Sequence, residues 1–230
     1  MKIASPLETH VLFTVGPVPI AQPVVTTWGI MAVLTLVSWA VTRRLALHPG
    51  KAQAALELTV DMIAGQIRET MEVPPARYLP LIGTFLIFIL AANWSSLVPG
   101  VEPPTAALET DAALALIVFG ATIYYGVRVL GPAGYLRSFA QPSFLLAPLN
   151  LIELFTRSLS LTVRLFGNVM SGVFMIGVVL SLAGLLVPIP LMALELLTGA
   201  VQAYIFATLA MVFIGGAISE ASHTHEGANP

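Results

Sequence analysis

The sequence predicts an all-α membrane protein with three roughly upright spans, one amphipathic surface helix and a C-terminal hairpin of two long slanted helices. Three observations predict it. Hydrophobic residues make up 57% of the 230-residue chain, charged residues only 10%, and the mean hydropathy is +0.90. Soluble domains carry about 25% charged residues, so a soluble globular reading fails. Long stretches hold no charge at all: Tyr78 to Val101, Leu165 to Leu194 and Leu196 to Ser219. Runs of that length read as membrane helices. Finally, the few charges of the last third recur at helical spacing inside an apolar segment, which marks a long helix with one polar face.

Residues 1–230 are therefore read as a single membrane domain. Residues 1–23 are polar to mixed, and Pro17, Pro19 and Pro23 break any helix there. The start, Met1 to His10, lacks a basic segment leading into an apolar core, so no cleavable signal peptide is expected. Span 1 covers 24–41 and ends at Arg43-Arg44. In 50–73, Leu56, Val60, Ile63, Ile67 and Met71 share one helical face, and Glu57, Asp61, Arg68, Glu69 and Glu72 the other. Such a helix either lies along the membrane surface or packs on other protein. Span 2 covers 78–98. The following loop holds Pro99, Pro103 and Pro104 with Glu102, Glu109 and Asp111, and no Lys or Arg. Span 3 covers 112–130, and a short loop with Gly131, Pro132, Gly134, Arg137 and Pro142 follows.

Basic residues set the orientation. Arg43, Arg44, Lys51, Arg68 and Arg77 lie in the 42–77 segment, Arg128 and Arg137 in the 128–142 region. The N-terminal segment has only Lys2. The positive-inside rule then puts the N-terminus outside, both basic loops in the cytoplasm, and the C-terminal tail, 220–230, in the cytoplasm as well.

Residues 143–219 form the slanted hairpin. Ser143 to Val187 contains only Glu153, Arg157 and Arg164 as charges. One helix of that length would be roughly 65 Å long, about twice the hydrocarbon thickness, so it must tilt, bend or break. Pro188-Ile189-Pro190 turns the chain, and Leu191 to Ser219 is again too long for an upright span. His223 and His225 in the tail lack a further metal ligand nearby and read as solvated.

The chemistry sits in this hairpin. Asn150, Glu153, Arg157, Ser160, Arg164, Asn168 and Ser171 recur in steps of three and four, which confines them to an arc of about 80° at about 100° per residue. Thr156, Ser158 and Thr162 lie off the stripe, where hydroxyls can bond back to their own helix. In the second helix Glu195, Thr198 and Gln202 share a face. If the helices pair, the two faces line one hydrated path.

Arg164 stands among Leu161, Val163, Leu165 and Phe166. Arginine at membrane depth costs from about 2.5 to over 10 kcal/mol and cannot escape by deprotonating. It needs a carboxylate, water or both. The alternatives to an ion path are a structural pair with Glu153 or Glu195, or snorkelling to an interface. At Glu195, burial favours the neutral carboxyl and a nearby arginine the charged one, so a balanced group can pass protons. Its alternative is a static partner of Arg164 or Arg157. Gln202 and Asn168 position water or join helices.

Several functions are excluded. A net charge of -2 offers no basic field for nucleic acid. No cysteine is present, so disulfides and thiolate chemistry are absent. The only lysines, Lys2 and Lys51, fit no phosphate-binding loop, and neither a zinc-protease nor a serine-hydrolase motif occurs. No cofactor or metal is expected, and no catalysis by the chain alone.

Ser160-Leu-Thr-Val-Arg-Leu-Phe-Gly-Asn168 closely resembles the signature of subunit a of F-type ATP synthases, the membrane stator that faces the rotor ring. Glu195 and the stretch Leu197 to Phe206, Asn93 in Ala-Ala-Asn-Trp, and Pro148-Leu-Asn-Leu-Ile-Glu153 fit the same family, and the likeness spans roughly 78–220. The resemblance implies an essential arginine at Arg164, its asparagine at Asn168, a polar half-channel residue at Glu195 and the arginine-facing glutamine at Gln202. It implies a ring of c subunits and peripheral-stalk b subunits as partners, the catalytic head as an indirect one, and the bacterial inner membrane as the site. Many members carry an acid or histidine nine residues after the arginine. Here that residue is Val173, which points to a divergent branch in which Glu195 takes over the relay. The carried ion is a proton or sodium. The rival reading is a stand-alone secondary transporter or channel, which often shows an inverted repeat, and none is evident here.

Overall fold

The computed structural model describes residues 11–15, 18–43, 50–98, 101–138, 147–183 and 187–226. Arg44, Pro99, Pro142 and residues 1–10 and 227–230 fall outside that set, as do the side chains of Arg137, His223 and His225. A short antiparallel hairpin, β1 (Val11–Val15) and β2 (Val18–Ala21), pairs Val15 with Val18 and Thr14 with Pro19. The prolines that forbid a helix here leave the backbone extended. Nearly everything else described is helical.

The first helix, α1, is Gln22–Thr42, opened by Pro23 in its first turn, where a missing N–H costs nothing. Among the described residues it buries little more than Pro23, and Trp28, Met31, Leu36 and Trp39 face outward. α2 is Lys51–Met71 and ends at Glu72, whose φ of 54° is left-handed. Its predicted apolar face divides. Ile63, Ile67 and Met71 are buried against α3 and α6, while Val60 stays exposed. The C-terminal half of α2 thus packs on protein.

α3 is Leu79–Trp94, extended by the single turn Ser95–Leu97. A turn at Pro104–Ala106 leads into α4, Leu108–Ser138, which begins before position 112. Gly131 interrupts α4 with φ 73° and ψ 162°, a backbone region open only to glycine, and Pro132 follows it. The predicted end of span 3 is this kink, and the helix resumes beyond it to Ser138. α5 is Ala147–Ala183 and α6 is Ile189–Glu226. At 37 and 38 residues each is about 55 Å long, well over the roughly 30 Å apolar core. α6 continues through 220–226, which the sequence predicts as a polar tail. Five of the helices are long and apolar enough to cross a membrane.

α6 is the hub, packing on α2, α3, α4 and α5. Lipid offers helices no hydrophobic reason to associate, so close packing and internal hydrogen bonds must hold them. Small residues at Gly199, Ala203 and Ala207 recur every fourth position on its buried face. Ile82, Phe85 and Ile89 of α3, Ala115 and Val118 of α4, and Leu161, Leu165 and Val169 of α5 close around Phe206, Ala210 and Ile214. Phe85 and Phe206 meet edge-to-face at 5.6 Å.

Candidate functional site

The α5 stripe stands to one side of the face that enters the core. Leu161, Thr162, Leu165 and Val169 point inward, whereas Glu153, Ser160, Arg164 and Ser171 are exposed and Asn150, Arg157 and Asn168 half-buried. The off-stripe hydroxyls satisfy themselves locally. Thr156 Oγ1 donates to Ile152 O at 2.8 Å, and Thr162 Oγ1 to Ser158 O at 3.2 Å.

Glu153 pairs with Arg157 one turn on, and Arg157 also lies 5.4 Å from the Phe213 ring centre. Arg164 sits one residue from the midpoint of α5, and among the described residues no carboxylate pairs with it. The sequence alternatives of a pair with Glu153 or Glu195 are therefore not made within the chain. A cleft of about 220 Å³ runs beside it, lined by Glu153, Arg157, Ser160 and Arg164 from α5 and by Leu209 and Phe213 from α6.

On the other side of Arg164 along the helix pair lies Glu195, half-buried on α6. A Cβ placed on Gly172 would come within 2.8 Å of its Oε1, so α5 and α6 touch at this pair because residue 172 has no side chain. Ser96 lies beside the Glu195 carboxyl, and among the described residues the buried Oε1 has no hydrogen-bond partner. Gln202 is buried at 6% exposure, and its Nε2 is likewise unpartnered. Interpolating along the antiparallel pair between Arg157–Phe213 and Gly172–Glu195 sets Gln202 within about one turn of both Arg164 and Asn168. Along the pair, Gln202 thus lies between the level of Glu153 and Ser160 on one side and that of Glu195 on the other.

Asn93 fixes this frame. Its Nδ2 donates to Gly199 O at 2.9 Å, and its Oδ1 accepts from Thr105 Oγ1 at 2.7 Å. Trp94 Nε1 donates to Leu196 O at 3.2 Å. These bonds join α3 and the 104–106 turn to the α6 segment that carries Glu195 and Gln202. Sequence reasoning missed Asp111, assigned to a loop with other acids. It lies in the first turn of α4 and is wholly buried, and among the described residues neither carboxyl oxygen has a partner.

The fold and the site define a multi-span membrane protein with an exposed charged face on one of its two long C-terminal helices. The sequence profile of the ATP synthase A chain family matches residues 24–215. ATP synthase subunit a 2 of a Bradyrhizobium species is 57% identical over 215 residues, covering 94% of this chain and 96% of that protein. ATP synthase subunit a 2 of Acaryochloris marina is 47% identical, with 87% and 86% covered. ATP synthase subunit a 1 of Hahella chejuensis is 43% identical, with 95% and 93% covered. The chain belongs to the ATP synthase subunit a family. It is a non-catalytic, ion-conducting stator subunit in the membrane sector of a rotary ATP synthase, and it acts as part of that complex.

Proposed function

We propose that the uncovered face of α5 is where the chain meets the rotor ring of c subunits, and that Arg164 releases the ion from each ring carboxylate as it passes. The observation that carries this reading is the lone guanidinium. It is exposed near the middle of a membrane helix, and no carboxylate among the described residues neutralises it. Lipid cannot cover such a group, whereas a partner acid can. A carboxylate about 4 Å away gains roughly 4 kcal/mol at an effective dielectric of about 20, which favours its charged form about a thousandfold. The acid gives up its ion on arrival and takes another on leaving.

Two half-channels would feed and drain this point. The cleft from Glu153 past Ser160 to Arg164 supplies one route, and the Glu195–Gln202 side the other. Asn168 holds water beside the arginine, and Arg164 blocks leakage between the routes. With Val173 unable to relay a proton, Glu195 supplies the titratable group. The charge of the basic loops supports an N-terminus outside and a C-terminus in the cytoplasm of a bacterial inner membrane. Peripheral-stalk b subunits hold the chain still, and the catalytic head is coupled indirectly.

Purification with the native complex tests the assignment. The chain is expected to co-purify with a small ring-forming hairpin protein and to conduct no ion when reconstituted alone. Ion transport by the isolated chain in liposomes would overturn it in favour of a stand-alone transporter.

A further inference from the structure

Four buried side-chain atoms among the described residues lack a hydrogen-bond partner: both carboxyl oxygens of Asp111, Oε1 of Glu195 and Nε2 of Gln202. Two of these residues already belong to the route on the Glu195 side of Arg164. Asp111 shares its helix face with Ala115 and Val118, four and seven positions on. Those two are buried in the core with Leu165 and Val169 of α5 and Ala203 and Phe206 of α6. One turn outward from Ala115, Asp111 therefore sits at the edge of the junction of α4, α5 and α6. The Asn93–Thr105 bond holds the start of the chain into α4 at the level of Gly199 on α6, three residues from Gln202.

A buried carboxyl without a partner is costly, and nothing in the packing repays it. No basic side chain among the described residues pairs with it. Groups of this kind persist where a transported ion or water completes them. We infer that Asp111 is a further ion-binding carboxyl of the half-channel that opens on the side away from the catalytic head, taking a proton or a metal cation there and handing it toward Glu195 and Gln202. This inference rests on the half-channel reading above. Its chemistry is simple exchange. The carboxylate binds the cation, then releases the same cation inward and returns to its charged form.

The test uses the whole synthase in liposomes, with sodium and pH on each side varied separately. Asp111→Asn is expected to raise the cation concentration for half-maximal gradient-driven ATP synthesis about tenfold on the side away from the head. The requirement for ATP-driven pumping, which draws ions from the head side, is expected to stay within about twofold. Equal changes from both sides, or none, would overturn the proposal, because a merely structural acid has no sidedness. If Asp111→Asn does not assemble with the ring, Asp111→Glu decides. A one-sided shift of about threefold supports the proposal, and parental behaviour from both sides sinks it. Arg164→Ala is measured alongside. Coupled transport surviving there would break the half-channel reading itself, whatever Asp111 does.

Discussion

Where α3 meets α6, Asn93 and Thr105 are buried and bonded to one another, and Asn93 donates to the Gly199 carbonyl. On the outer face of α5, Arg164 is exposed, and among the described residues no acid meets it. Both places put polar groups inside a membrane, yet one is closed within the chain and the other is left open. Polar groups satisfied internally hold helices together. Those left unsatisfied define where something else must come. The difference separates what keeps this fold standing from what it does, and each of the following measurements strains one side of that divide.

The largest effect is expected on the open side. Arg164→Ala and Arg164→Lys should lower ATP-driven ion pumping by more than about 100-fold while assembly of the complex survives, because neither keeps a planar, permanently charged fork at that point. Normal pumping by either variant would refute the role. Glu195→Gln comes next, with transport expected to fall about tenfold and to change its dependence on pH, since an amide cannot exchange a proton. Parental rates at both neutral and alkaline pH would take Glu195 out of the path.

On the closed side the expected pattern reverses. Asn93→Ala removes two bonds and leaves the buried Thr105 hydroxyl without its acceptor, a loss of about 1–3 kcal/mol. A lower melting temperature and lower yield are expected, with pumping per assembled complex nearly kept. Lost pumping at unchanged stability would move Asn93 across the divide. The smallest effect is at the end of α2. Glu72 holds a left-handed backbone, and Glu72→Gly should stabilise that turn by up to about 1 kcal/mol without touching transport. Thermal melting of the purified complex checks this, and a fall in melting temperature would count against it.

The open side was far more legible in the sequence than the closed one. The α5 stripe is a local pattern, set by steps of three and four within one helix, so its face could be worked out from spacing alone. Gly131-Pro132 marked the end of span 3 for a reason that belongs to those two residues. The closed side depends on distance in sequence. Asn93 and Gly199 are 106 positions apart, and no spacing rule foretells their bond. For the same reason α2 stayed open between lying on the membrane and packing on protein until α3 and α6 were seen against Ile63, Ile67 and Met71. Asp111 was hidden by its neighbours, since a run holding Glu102, Glu109 and prolines looks like a solvated loop. The β1–β2 hairpin is too short and proline-rich to carry a period.

Arg157 is already neutralised by Glu153 and screened by Phe213. Among the described residues of α5 this leaves Arg164 as the only arginine that no acid pairs. Several free cations in a row would let each acid pause at successive stops and smear the motion. On the proposed contact with the ring, a single one works like the pallet of a clock, so the length of each tick is dictated by how far apart the wheel's own teeth are cut.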